Sequence, residues 1–141
     1  MQRAEDMAVK GSCLCGAVEY EVTALAGPIV NCSCRTCRKA HAAPFASTAR
    51  VDRAAFRWTK GQDLVSAFSS TPGKLRHFCP ACGSHLMAEW QDEPRVIIRV
   101  ATLDDDPQQR PEIAIWRSHE VPWLNYHEPM QVFDETPNPR A

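Results

Sequence analysis

The sequence predicts a mainly β domain: a small, mostly antiparallel sheet structure with few and short helices. Several segments alternate apolar and polar residues at a period of two. Eleven prolines and six glycines break the 141 residues into short stretches that leave little room for long helices. Seven cysteines stand in three tight groups, which tie distant parts of such a domain together if they share metal ions.

The clearest strand is Ala17-Val18-Glu19-Tyr20-Glu21-Val22, with Val18, Tyr20 and Val22 on one face. Leu64 to Ser69, Leu75 to Phe78, His85 to Trp90 and Arg95 to Ala101 are further strands. Val96-Ile97-Ile98 is a run rather than an alternation, which predicts cover on both faces. Thr71-Pro72-Gly73-Lys74 carries the residues of a tight turn between two strands. The one helix expected is short, Arg35 to His41. Asp104-Asp105-Asp106 reads as a solvated loop or a helix start. One domain is expected over residues 10–133, with a frayed tail at 134–141.

Composition narrows the function classes. A domain of this length buries a substantial core and needs no metal merely for being small. The hydrophobic fraction of 44% and charged fraction of 23% are those of a soluble globular protein. A net charge of -1 gives no general attraction to nucleic acid or anionic membrane, so neither is an expected partner. No apolar run approaches the ~18 residues that span a bilayer. Met1 to Asp6 mixes charges with no apolar stretch behind it, so no secretory signal is expected and the cytoplasm is the expected location. There, clustered cysteines serve as metal ligands or catalytic groups more often than as disulfides.

The groups are Cys13-Leu14-Cys15, Cys32-Ser33-Cys34-Arg35-Thr36-Cys37 and Cys79-Pro80-Ala81-Cys82. Tetrahedral zinc with Zn–S near 2.3 Å puts its sulfurs about 3.8 Å apart. Residues two apart on a strand share a face but are separated by about 7 Å, so each Cys-x-Cys pair must turn to bite one ion. Gly16 and Gly83, each directly after a pair, supply the backbone freedom for such knuckles. Two pairs complete a four-thiolate site and a triplet leaves one ligand short. The economical partition is therefore Cys13, Cys15, Cys79 and Cys82 on a structural zinc and Cys32, Cys34 and Cys37 on a second, two Zn2+ per chain.

The triplet carries the chemistry. Three protein ligands and an open fourth position are the arrangement of catalytic zinc. Three thiolates make the site net anionic and acidify a bound water far less than three neutral histidines would. Soft ligation favours an incoming thiol, bound as thiolate. His41, four residues after Cys37, has two readings: a fourth ligand that closes the site, or a proton carrier beside it. Arg35, Arg38 and Lys39 are either receptors for the carboxylates of an anionic thiol or solvated charges on a short helix. Phe45, Trp116 and Trp123 wall a pocket or pack in the core. His77, His85, His119 and His127 have no ligand-spaced partner and read as surface or hydrogen-bonded residues. No His-Glu-x-x-His, no zinc-deaminase signature and no glycine-rich phosphate loop occurs.

Gly11-Ser12-Cys13-Leu14-Cys15-Gly16-Ala17-Val18, Cys32 through Lys39, Ala43-Pro44-Phe45 and Phe78-Cys79-Pro80-Ala81-Cys82-Gly83 occur in that order. With Lys60-Gly61, Thr102-Leu103-Asp104, Pro111 and Pro122-Trp123, they resemble the glutathione-dependent formaldehyde-activating enzyme and centromere protein V family. The resemblance runs from Lys10 to Phe133. It implies a β-tent fold with two zincs, the structural one on Cys13, Cys15, Cys79 and Cys82 and the catalytic one on Cys32, Cys34 and Cys37. It implies a carbon–sulfur lyase resembling S-(hydroxymethyl)glutathione synthase, which condenses glutathione with formaldehyde. Where the family commonly reads Arg-Lys-x-Ser-Gly-Ala-Pro-Phe, this chain has Arg38-Lys39-Ala40-His41-Ala42-Ala43-Pro44-Phe45. His41 thus replaces a small hydroxyl residue and Ala42 a glycine.

The expected function is zinc-dependent condensation of a small thiol such as glutathione with formaldehyde or a small aldehyde. Cys32, Cys34, Cys37 and His41 are the catalytic candidates, and Arg38, Lys39, Phe45 and Trp123 the substrate-binding ones. The alternative is a non-catalytic zinc module or a glutathione carrier. The sequence does not give the oligomeric state.

Overall fold

Val18, Tyr20 and Val22 are fully buried, as the alternation around them predicts. The computed structural model describes residues 8–137 and 140, so the N-terminal segment ahead of residue 8 and part of the expected tail lie outside the described residues. The chain is mainly β. Among the described residues ten strands run β1 (Val9–Ser12), β2 (Glu19–Val22), β3 (Ile29–Cys32), β4 (Ala46–Asp52), β5 (Phe56–Lys60), β6 (Ser66–Thr71), β7 (Lys74–Phe78), β8 (His85–Trp90), β9 (Arg95–Arg99) and β10 (Pro111–Ile115). The one α-helix among them, α1 (Arg35–His41), has the expected bounds. No helix among the described residues is long and apolar enough to cross a membrane.

The strands form two sheets. A three-stranded sheet has the order β1-β2-β5, and a seven-stranded sheet the order β10-β3-β4-β9-β8-β7-β6. All pairs are antiparallel except β10 with β3, which run parallel. β6 and β7 join through the turn that Pro72 and Gly73 foretell. The expected strand Arg95 to Ala101 ends at Arg99, where a 3-10 turn of Val100–Thr102 follows. Within its apolar run, Val96 and Ile98 are buried and Ile97 half-buried, so cover is fuller on one face.

Strand register sorts the large sheet into two chemically different faces. Ile29, Ala49, Val51, Val96 and Ile98 share the face that packs with Val18, Tyr20 and Val22 of the small sheet in the main core. Tyr20 stacks on Phe56, with ring centroids 5.4 Å apart. Its hydroxyl donates to Thr102 Oγ1 at 2.6 Å, and Thr102 donates in turn to the Arg99 carbonyl at 2.7 Å. Burial raises the Tyr20 phenol to about 12, so it remains a donor. Asp104 is not simply solvated: Ser12 donates to its carboxylate at 2.8 Å, and the Lys10 amide donates to Asp105 at 2.8 Å, which ties β1 to the chain after β9.

The opposite face carries Cys32 opposite Ala46, Thr48 opposite Arg99, and a row of Ile97, Ala88, Arg76 and Phe68 across four strands. A second, smaller cluster of Cys32, Cys37 and Ala46 lies there. Helix α1 follows β3 through a two-residue link and packs on β4. Cys34 caps it: the Cys37 amide donates to Cys34 Sγ at 3.3 Å. The helix ends at Ala42, held in the left-handed region at φ 50° and ψ 45°.

That conformation costs a non-glycine residue about 1–2 kcal/mol, against about 0.5–1 kcal/mol of extra unfolded-chain entropy for glycine. Ala42→Gly is therefore expected to stabilise the protein by up to ~1 kcal/mol in urea unfolding. A loss of stability would show that the Ala42 methyl makes contacts worth more than the strain.

Candidate metal centres and the adjoining cleft

Cys13 and Cys15 sit in the turn between β1 and β2, and Cys79 and Cys82 in the turn between β7 and β8. Both turns close on a glycine amide, over three residues in the first and four in the second. The Gly16 amide donates to the Cys13 carbonyl at 3.1 Å, and the Gly83 amide to the Cys79 carbonyl at 2.7 Å. Gly16 and Gly83 adopt φ of 79° and 81°, values that L side chains rarely tolerate. The turns are cross-linked by the Leu14 amide donating to Ser84 Oγ at 2.9 Å. All four sulfurs lie within 4.8 Å of one another. The Cys13–Cys15 and Cys15–Cys79 sulfurs are 3.6 and 3.8 Å apart, close to the edge of a zinc–thiolate tetrahedron. None of the cysteines is in a disulfide. The Val18 amide donates to Cys13 Sγ at 3.3 Å, a bond that favours the thiolate. The donor set fits a closed, four-coordinate zinc.

Cys32, at the end of β3, meets Cys34 and Cys37 of the cap and first turn of α1, with all three sulfurs within 4.8 Å. Among the described residues this group consists of three thiols, and the His41 nitrogens lie outside it. Hydrogen bonding with Cys32 holds the Cys37 thiol well below the usual range, and the same pairing pushes Cys32 up. Arg99 and Arg76 add to the Cys37 effect through their charge. The structure thus builds a thiolate into the triplet, which suits a soft cation.

The residues around the triplet are cationic and buried. Arg76 is 2% exposed and Arg99 5%. Burial, then the neighbouring Arg76 charge, lowers Arg99 to about 10, so its guanidinium remains charged at neutral pH. His41 and His85 face each other with ring centroids 5.0 Å apart. Burial, then Arg99, His85 and Arg76, pushes His41 down to about 3, and burial with the two arginines also lowers His85. Both imidazoles are neutral at physiological pH.

A cleft of about 690 Å³ opens between α1 and the strands below it. Arg35, Thr36, Lys39 and Ala40 line its helix side, and Phe68, Ser70, Arg76, Phe78 and His85 its sheet side. Of Arg38, Lys39, Phe45 and Trp123 only Lys39 lines this cleft, and Arg35, the other possible carboxylate receptor, lines it too. Arg38 and Trp123 line a separate groove with Lys39, Pro44 and Val121, and Trp123 is 73% exposed. Phe45 packs near Tyr126, with ring centroids 6.2 Å apart. His85, expected at the surface or hydrogen-bonded, is half-buried against His41 and stacked on Phe78 at 5.6 Å. Sequence reasoning missed Arg76, Arg99 and His85. One local signal existed: Arg99 closes the apolar run from Val96, an odd place for an unpaired charge.

Structural zinc is worth about 10–16 kcal/mol at neutral pH, comparable to the stability of a whole domain. Cys82→Ala is therefore expected to lose one zinc and its cooperative thermal transition, read by metal analysis and calorimetry. His41→Ala is expected to keep two zincs. Loss of one there would mean that imidazole closes the triplet.

Comparison with known proteins agrees with this geometry. A solved structure of a Rhodobacter sphaeroides protein superposes with a TM-score of 0.61 at 26% identity, covering 74% of this chain and 97% of that one. The family model described as glutathione-dependent formaldehyde-activating enzyme matches residues 8–119, a span that contains both cysteine clusters and every residue of the cleft. The chain belongs to the glutathione-dependent formaldehyde-activating enzyme (GFA) family.

Proposed function

We propose that this protein is a zinc-dependent carbon–sulfur lyase that joins a small thiol, such as glutathione, to formaldehyde or another small aldehyde. One observation carries the reading: three thiols converge within 4.8 Å, one ligand fewer than zinc's usual four, beside a cleft lined by cations. Cys13, Cys15, Cys79 and Cys82 would hold the structural ion, and Cys32, Cys34 and Cys37 the catalytic one. Zinc at the triplet, when bound, supplies a soft Lewis acid that favours a thiol in its thiolate form.

The chain's own residues do the rest. Arg76 and Arg99 place two positive charges beside a site whose three thiolates outweigh a dipositive ion, and so favour entry of a thiolate over a neutral thiol. Addition forms the C–S bond from a sulfur lone pair. The carbonyl π pair passes to oxygen, which takes up the proton the thiol gave up. His41 and His85, neutral and adjacent, are suited to hydrogen-bond the groups between which that proton moves rather than to store it. Phe68 and Phe78 give one wall of the cleft an apolar surface. Clustered thiols that serve as metal ligands rather than as disulfides are more common in a reducing compartment, which supports a cytoplasmic location.

The test is the rate of hydroxymethyl-thiol formation from glutathione and formaldehyde, compared with the uncatalysed reaction. Wild-type protein is expected to accelerate it, and Cys34→Ser to lose at least ~10-fold, the order of effect of losing a metal-orienting group. Equal rates with and without wild-type protein would overturn the enzyme reading. Calorimetric binding of glutathione under those conditions would then leave a carrier.

A further inference from the structure

Three arginines of this chain pair with carboxylates: Arg53 with Glu89 at 3.0 Å, Arg95 with Asp52 at 3.1 Å, and Arg57 with Glu21. The two buried arginines do not. Arg76 Nε donates to Ser70 Oγ at 3.0 Å, but among the described residues its Nη1 has no acceptor, and neither have Nε and Nη2 of Arg99. Buried guanidinium N–H groups without acceptors are costly, and a native fold keeps them where something else supplies the oxygen. The triplet answers only part of this demand. Three thiolates around a dipositive ion leave one net negative charge against two arginines. The cleft that Arg76 lines adds Arg35 and Lys39 and contains no acidic residue, in a chain whose net charge is -1. Its Phe68 and Phe78 walls suit an organic anion better than a fully hydrated inorganic one.

We propose that this cleft is a carboxylate-binding subsite, anchored by Arg76 with Ser70, backed by Arg99, and rimmed by Arg35 and Lys39. A carboxylate presents two oxygens that match the guanidinium fork, which a thiolate or a chloride does not. The subsite holds the anionic end of a substrate whose reacting end lies at the triplet, a placement that rests on the function proposed above. The carboxylate belongs either to the thiol or to its carbonyl partner, and both present the same chemistry to Arg76.

Calorimetric titration of the two-zinc protein separates these. S-methylglutathione offers carboxylates without a free thiol, glyoxylate offers a carboxylate on the carbonyl partner, and 2-mercaptoethanol offers a thiol without a carboxylate. At least one carboxylate probe is expected to bind wild type, with affinity falling about 10- to 100-fold in Arg76→Gln. The 2-mercaptoethanol affinity is expected to change little. Arg76-dependent binding of S-methylglutathione assigns the carboxylate to the thiol, and that of glyoxylate assigns it to the carbonyl partner. Binding of neither probe, or equal affinity in wild type and Arg76→Gln, overturns the subsite. If the glutamine variant fails to fold by circular dichroism, Arg76→Lys keeps the charge without the fork, and undiminished affinity there overturns it equally. Failure of 2-mercaptoethanol to bind wild type contradicts the thiol reading alone.

Discussion

The four-sulfur cluster is the constraint on which the rest of the molecule depends. Its first two sulfurs belong to the hairpin turn of the small sheet, and its last two to a turn of the large one. Holding them within 4.8 Å sets how the sheets face each other, and so which side of the large sheet packs on Tyr20. The side left over receives Cys32, Arg76 and Arg99 and is covered by α1. The meeting of these four sulfurs thus goes with where the apolar core lies, and by exclusion with where the charged pocket lies. The Ser12–Asp104 and Tyr20–Thr102–Arg99 bonds fasten the same junction from within the chain.

The two centres differ in what they leave undone. At the first, four thiols meet in two tight turns, as many donors as a tetrahedral zinc takes. At the second, three thiols meet beside two buried guanidinium groups and two neutral imidazoles, in walls that concentrate positive charge. A closed tetrathiolate resists exchange and suits a structural role. A trithiolate under a cationic field suits a ligand that arrives with negative charge and leaves again. His41 lies outside the group of three sulfurs, with its ring against His85.

Local pattern carried much of this into the sequence. The alternation at Val18, Tyr20 and Val22, the helix from Arg35 to His41 and the grouping of sulfurs as four and three depend on spacing alone, and spacing is what a sequence displays. Strands β1, β3, β4, β5 and β10 were not foreseen, because they are short or lack clean alternation; all five residues of β10, at a sheet edge, are exposed. The parallel pairing of β10 with β3 is non-local and leaves no mark in either segment. Arg76, His85 and Arg99 escaped for the same reason. They are far apart in the chain and meet because β7, β8 and β9 are neighbours in one sheet. Phe45 and Trp123 have the aromatic character of pocket walls, yet neither lines the cleft beside the triplet.

The central claim is that the seven thiols divide between two ions with one position free for an exogenous thiol. Zinc K-edge absorption on the purified protein tests it most directly. The account predicts two zincs per chain and an average of three and a half sulfurs around each, rising to four when glutathione is added. A single zinc, a sulfur count unchanged by thiol, or an imidazole completing the second shell would contradict it.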